Sequence, residues 1–305
     1  MTQVACVRFQ SSMLLALLGF ALSAQSQQLE PRAFAANPVG ISFVALGVSR
    51  TEGGVLLDAS SPIQDFQIKV TEPAVGYGRT FAMGSRVASL ALVVPYADGV
   101  ASGTVEGVPD SVHRTGFGDL QLRFTTSLLA GSALAPAEFA RDTPDRTFGA
   151  SLLVIAPTGE YMKDRLINIG TNRWAFKPEL GGSRQWGRWN LEGSIAAWFF
   201  TDNSDFVEGP KQQDPIGAIQ GHVSYTFKPR LWLAASLTWY AGGRSLVAGQ
   251  SQDDTQNSTR GGLTLSLPVG SRQSIKLLWQ TGISTRIGGG DFDTFGFAWQ
   301  YAWLD

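Results

Sequence analysis

Two side chains in the stretch IQGHVSYTFK, His222 and Ser224, stand at a spacing that suits nucleophilic chemistry. Residues two apart on a strand share a face, so the imidazole could take the hydroxyl proton and make the oxygen a nucleophile. His113 is the only other histidine, and neither ring has metal-ligand spacing to a cysteine or a second histidine. Asp202, Asp205, Asp253 and Asp254 fall in polar stretches without the calcium-loop pattern and read as solvated loop tips. No Walker loop or dinucleotide glycine fingerprint occurs, so neither a cofactor nor nucleotide coupling is expected. The remaining candidates are scattered charges: Asp119, Arg123, Lys177, Glu179, Glu192, Lys276 and, less regularly, Lys69.

What those groups can do depends on the elements that carry them. DLQLRFTTSL sets Leu120, Leu122, Phe124 and Leu128 against Asp119, Gln121, Arg123, Thr125 and Ser127. SIKLLWQTGI sets Ile275, Leu277, Trp279 and Ile283 against Ser274, Lys276 and Gln280. DFQIKV would place Phe66, Ile68 and Val70 outward, opposite Asp65, Gln67 and Lys69. The closing stretch, FDTFGFAWQYAWLD, repeats an aromatic at every second position: Phe295, Phe297, Trp299, Tyr301 and Trp303. Period two is the strand period, and segments of roughly ten residues can cross a bilayer when tilted.

Strands are expected near 40–50, 63–78, 85–97, 114–128, 146–156, 173–182, 188–201, 215–228, 231–242, 259–268, 273–286 and 292–303. Long connections alternate with short ones, except that 129–145 is long where a turn belongs, and PAEFA within it suits a short helix. The fold class is therefore all-β: an antiparallel transmembrane β-barrel of about twelve strands over residues 40–305. A soluble sandwich or propeller would alternate too, but Trp174, Trp186, Trp189, Trp232 and Trp239 near strand ends suit interfacial girdles.

Composition agrees. Charged residues make up 16% of the chain, against about 25% in an average soluble domain. A net charge of -1 argues against nucleic acid as a partner. Arg8, the apolar run MLLALLGFALS and the small residues Ala24-Gln25-Ser26 form the layout of a secretory signal peptide over 1–26. Residues 27–39 would then be an N-terminal periplasmic segment. The single cysteine, Cys6, falls inside the signal, so no disulfide or thiol chemistry is expected of the mature chain.

GASLLVIAPTGEY (149–161), LINIGTNRWAFKPELG (166–181), FFTDNSDF (199–206) and QDPIGAIQGHVSYTFKPRLWLAASLTWYAGGRS (213–245) carry a likeness. GLTLSLPVGSRQSIKLLWQTGISTRIG (262–288), DFDTFGFAWQY (291–301) and, more weakly, RAFAANPVG (32–40) extend it. Together these stretches resemble the outer-membrane proteins called MetA-pathway of phenol degradation transporters. The resemblance implies uptake of aromatic compounds in Gram-negative bacteria. With no nucleotide site, passage of such small molecules would be passive, and a barrel of this kind would have outer-membrane lipids and the barrel insertion machinery as partners. The resemblance supplies no catalytic residues. One departure is that Leu304 and Asp305 follow Trp303, where outer-membrane barrels end on an aromatic.

On this reading Asp119, Arg123, Lys177, Glu179, Glu192, His222 and Lys276 line the lumen, either along a path or paired with one another. A Lys or Arg facing lipid near the midplane would cost roughly 2–4 kcal/mol. Phe295, Phe297, Trp299, Tyr301 and Trp303 face lipid. Two other functions compete. Outer-membrane lipid hydrolases use a similar His-x-Ser, although Tyr225 and Thr226 stand where those enzymes carry Asn-Gly or Asn, and a lipid-cleaving pair should face the bilayer. A non-conducting barrel could also serve as a scaffold or adhesin.

Overall fold

The computed structural model describes residues 29–55, 63–105, 107–129, 132–284 and 290–304. The expected signal peptide, with Cys6, lies outside the described residues. The alternating segments are strands: β1 Ile41–Val55, β2 Ile63–Met83, β3 Arg86–Val105, β4 Val108–Phe117, β5 Leu120–Leu129 and β6 Arg146–Ala156. They continue as β7 Ala175–Trp186, β8 Trp189–Phe200, β10 Ile216–Lys228, β11 Leu231–Gly242, β14 Gln256–Pro268, β15 Gln273–Ser284 and β16 Gly290–Leu304. Three short strands in the loops, β9 Lys211–Gln213, β12 Ser245–Val247 and β13 Gln250–Ser251, form a separate small sheet. A helix, α1 Pro136–Arg141, occupies the long connection as expected, and the Glu138 carboxylate accepts the Ala135 N–H at 3.2 Å.

Every pairing in the large sheet is antiparallel, and neighbours follow chain order. β1 pairs with β16 from Ile41 opposite Leu304 to Val55 opposite Gly290, so the sheet closes on itself. The thirteen strands of this sheet make twelve staves. β4 and β5 lie one after the other along β3, interrupted at Gly118 and Asp119. Asp119 was expected inside a single strand, and it marks the break instead. The stretch 98–113 was expected as a loop. It is the tip of a long β3–β4 hairpin, with Val105 opposite Val108. Its Gly, Ser, Asp and Thr content resembles loop composition, yet each outward residue there needs only to be tolerated by water.

Short turns gather at the end that holds both described termini. Gly187 turns β7 into β8 with φ +58°, a left-handed conformation that a Cβ resists.

The two faces separate cleanly. Phe295 and Phe297 are 61% and 42% exposed on β16, while Phe292 and Thr294 on the other face are buried. Leu46, Val75, Leu92, Leu122, Leu180, Ile195, Ile219 and Leu237 continue an exposed apolar belt around the barrel. Aromatics edge the belt. Trp299, Tyr301 and Trp303 follow one another with ring centroids 6.4 and 5.9 Å apart, and Tyr225 sits between Trp189 and Phe227. At the opposite end Trp174 stacks on Phe176, and Tyr96 meets Phe117 edge-on. Trp232, expected in a girdle, is buried on the inward face of β11.

One segment is inverted relative to expectation. Phe66, Ile68 and Val70 are buried and Asp65 and Lys69 exposed, so Lys69 is not a lumen residue. The inward set packs with Ala97, Ala101, Ile169 and Phe292. Here the apolar side chains face a plugged mouth and the polar ones face outward, which alternation alone cannot tell from the lipid-facing case.

Because the belt requires an apolar surround, Phe297→Arg is expected to destabilise the folded barrel by about 2–4 kcal/mol, and Phe297→Leu by less than about 1.5 kcal/mol. Equilibrium urea unfolding in phospholipid vesicles measures both.

Candidate functional site

The lumen is the candidate site, and two chain segments enter it. At the terminal end, residues 29–40 run against inward-facing side chains. Ala33 and Phe34 donate their backbone N–H groups to the Glu192 carboxylate of β8 at 3.0 and 3.2 Å. Glu30 pairs with Arg123 of β5, with one bond at 2.7 Å. Arg32 donates to Ser224 at 3.0 Å and to Thr226 at 2.6 Å, and its guanidinium lies 4.7 Å from the Trp232 ring centre. The Phe34 carbonyl accepts from Thr147 and Ser183, and a Cβ at Gly181 would collide with the Phe34 ring. The stretch expected to lead in from the periplasm thus occupies the inside of the barrel.

The other mouth is crossed by the connection 157–174. Asp119 holds it: one carboxylate oxygen accepts the Gly159 N–H at 2.8 Å, and the other accepts the Thr171 N–H and hydroxyl at 2.9 and 2.6 Å. Gly159 and Gly170 touch backbone to backbone, where a Cβ on Gly170 would come within 2.7 Å of Gly159. Ile169 then reaches across to β2, β3 and β16.

Between the two inserts lies a charge network. Lys177 and Glu179 on β7 are both buried and 3.5 Å apart, and Arg123 stands 3.8 Å from the same Glu179 carboxylate. Ser151 and Ser194 donate to Glu179 at 3.2 and 2.6 Å. The charges therefore pair with one another, as a narrow lumen demands. Lys276 faces the same interior from β15, in the electrostatic reach of Glu30 and Arg32. His222 and Ser224 are both inward and buried on β10. No hydrogen bond joins them. His222 Nδ1 lies 2.8 Å from Ser236 Oγ across the strand pair, and Ser224 accepts from Arg32.

Beyond this network the lining turns apolar and aromatic. Leu153, Ile155, Ala175, Trp198, Ile216, Ala218 and Tyr240 form one cluster, with Phe200 packed against it. Above it, in the loops, Arg173 and Lys211 are buried cations. Arg173 lies over Phe200 at 4.3 Å and donates to Gln213 at 2.5 Å, while the Lys211 ammonium lies 5.1 Å from the Phe206 ring centre. Burial pushes Arg173 down to about 10. Burial, with Arg173 nearby, pushes Lys211 down to about 8. Asp254, expected at a solvated tip, is buried and accepts the Ser245 N–H at 2.8 Å, and burial raises its pKa. Arg173, Trp198 and Tyr240 were missed as lining groups. Trp198 and Tyr240 continue the inward alternation of β8 and β11, and Arg173 extends that of β7 two residues before its start, so the signal was present.

Glu192→Ala should leave two buried N–H groups without their acceptor and loosen the inserted segment. Trypsin cleavage after Arg32 is expected to quicken about tenfold or more while the barrel stays folded, followed by mass spectrometry of timed digests.

In solved structures the architecture recurs in an outer membrane channel from Pseudomonas putida F1, with TM-score 0.75 and 20% identity over 90% of this chain and 100% of that one. Weaker likenesses are the transport unit of the autotransporter AIDA-I from Escherichia coli (TM-score 0.50, 9% identity, 96% and 98% covered) and the translocator domain of autotransporter NalP from Neisseria meningitidis (0.50, 11%, 95% and 96%). These likenesses show the fold. No curated protein matches the chain. The family model described as "Putative MetA-pathway of phenol degradation" matches residues 49–290, and the chain belongs to that family.

Proposed function

We propose that the chain is an outer-membrane channel of Gram-negative bacteria for passive uptake of small, amphipathic aromatic molecules. The observation that carries this reading is the two-part lining of the closed barrel. A charge network of half-buried Arg123 with buried Lys177 and Glu179, flanked by buried Glu192, is followed along β7, β8, β10 and β11 by an apolar cluster containing Trp198 and Tyr240. A purely polar permeant needs no such cluster, and a hydrocarbon needs no such network. Membership in the phenol-degradation family and the fold shared with an outer membrane channel support the same reading.

The charged lining residues act by keeping the interior polar, and Asp119 acts by fixing the mouth loop rather than by meeting a permeant. Passage requires residues 29–40 to move aside, since their contacts run from β5 through β8 to β11. The signal peptide over 1–26, the insertion machinery and contact with outer-membrane lipids complete the proposal.

Vesicles bearing the protein should take up radiolabelled benzoate and benzyl alcohol faster than protein-free vesicles, and deletion of residues 29–36 should raise the rate further. Equal rates with and without protein would favour a scaffold.

A further inference from the structure

Two buried hydrogen-bond donors on the inward face near the loop-bearing mouth, Arg173 Nη1 and Trp198 Nε1, have no partner, and the nearby Thr238 and Tyr240 hydroxyls have none beyond one another. Their residues are 7%, 1%, 0% and 1% exposed. Register brings them into one strip. Ile216 of β10 stands between Trp198 of β8 and Gly242 of β11, and Ala218 stands opposite Tyr240. Thr238 lies one inward step deeper, and Arg173 lies two residues before Ala175 at the shallow end. Around the strip stand the side chains of Ile155, Ala175, Ile216 and Phe200.

The strip combines an aromatic and aliphatic wall with donors, and it includes a cation. Arg173 spends one nitrogen on the neutral Gln213 amide and covers Phe200 with its plane. The carboxylate that acts on it, Asp119, already accepts three hydrogen bonds from the mouth loop. A second buried cation, Lys211, lies within electrostatic range and is itself faced by the Asp254 carboxylate. A hydrocarbon in this strip would leave the Arg173 and Trp198 donors unmet, and a neutral alcohol would leave the Arg173 charge uncompensated. An anion on an apolar ring answers both, because guanidinium binds carboxylate with charge-assisted hydrogen bonds.

We propose that this strip is a binding site for an aromatic carboxylate, held by Arg173 Nη1 and the Trp198 N–H with its ring against Ala175, Ile216 and Tyr240. The Tyr240 and Thr238 hydroxyls extend the donors deeper, where a ring hydroxyl would meet them. This site rests on the channel reading, since a permeant must reach the lumen to occupy it.

Calorimetric titration of the full mature chain in detergent micelles with benzoate and with benzyl alcohol tests the site. Benzoate is expected to bind the parent protein more tightly than benzyl alcohol does. Arg173→Gln should weaken benzoate by about tenfold or more and leave benzyl alcohol unchanged, and Arg173→Lys should recover part of the loss. Trp198→Phe, which keeps the ring and removes the N–H, should weaken benzoate by a smaller factor. Unheated gel mobility verifies that each variant is a folded barrel. Benzoate binding that is absent, or unchanged in Arg173→Gln, overturns the site. If vesicles still take up benzyl alcohol in that case, the channel reading stands; if protein-bearing vesicles take up neither compound, the channel reading itself falls.

Discussion

The whole structure depends on the backbone ladder between β1 and β16. Fifteen consecutive residue pairs join the first stave to the last, and that seam removes the open edges a sheet would otherwise present to hydrocarbon. An unsatisfied backbone group in a bilayer costs several kcal/mol, so an open edge of this length would not persist there. The aromatic ladder of the last strand follows from the same constraint. With the seam closed, Phe295, Phe297, Trp299, Tyr301 and Trp303 have only one direction to point, away from the lumen.

A closed barrel of twelve staves is narrow, and its interior obeys the rules of a protein core rather than of a pore. Charges inside it have to find partners, which is why Arg123, Lys177 and Glu179 meet one another and Glu192 receives two backbone N–H groups. Segments from outside the strands then fill what side chains leave. Residues 29–40 enter from one end and 157–174 from the other, and each meets a buried carboxylate that accepts its backbone hydrogens, Glu192 and Asp119 respectively.

The barrel was legible because lipid outside and polar groups inside impose alternation on each crossing segment; β10, β15 and β16 fall almost where the pattern placed them. His222, Lys276 and Glu192 were placed inward by that rule. The rule failed where its premise failed. Beyond the belt, Phe66, Ile68 and Val70 pack inward against Ile169, and period two cannot say which apolar face meets lipid. Trp232 likewise looked like a girdle residue because the ring chemistry that suits an interface also suits a lumen wall. Residues 29–40 have no period at all, and the side-chain partners of Glu30 and Arg32 lie from 93 to 194 residues away in sequence. Such contacts exist only once the sheet has closed.

Alternate residues of the seam strand contact lipid and lumen. Nitroxide labels on Phe297→Cys and Ala298→Cys, in vesicles, measure this directly through power saturation with oxygen, which partitions into hydrocarbon, and with a water-soluble nickel chelate. The label at 297 is expected to respond strongly to oxygen and hardly to nickel, and the label at 298 to be shielded from oxygen. Equal oxygen responses at the two positions, or a label at 297 that nickel reaches readily, would contradict this alternation.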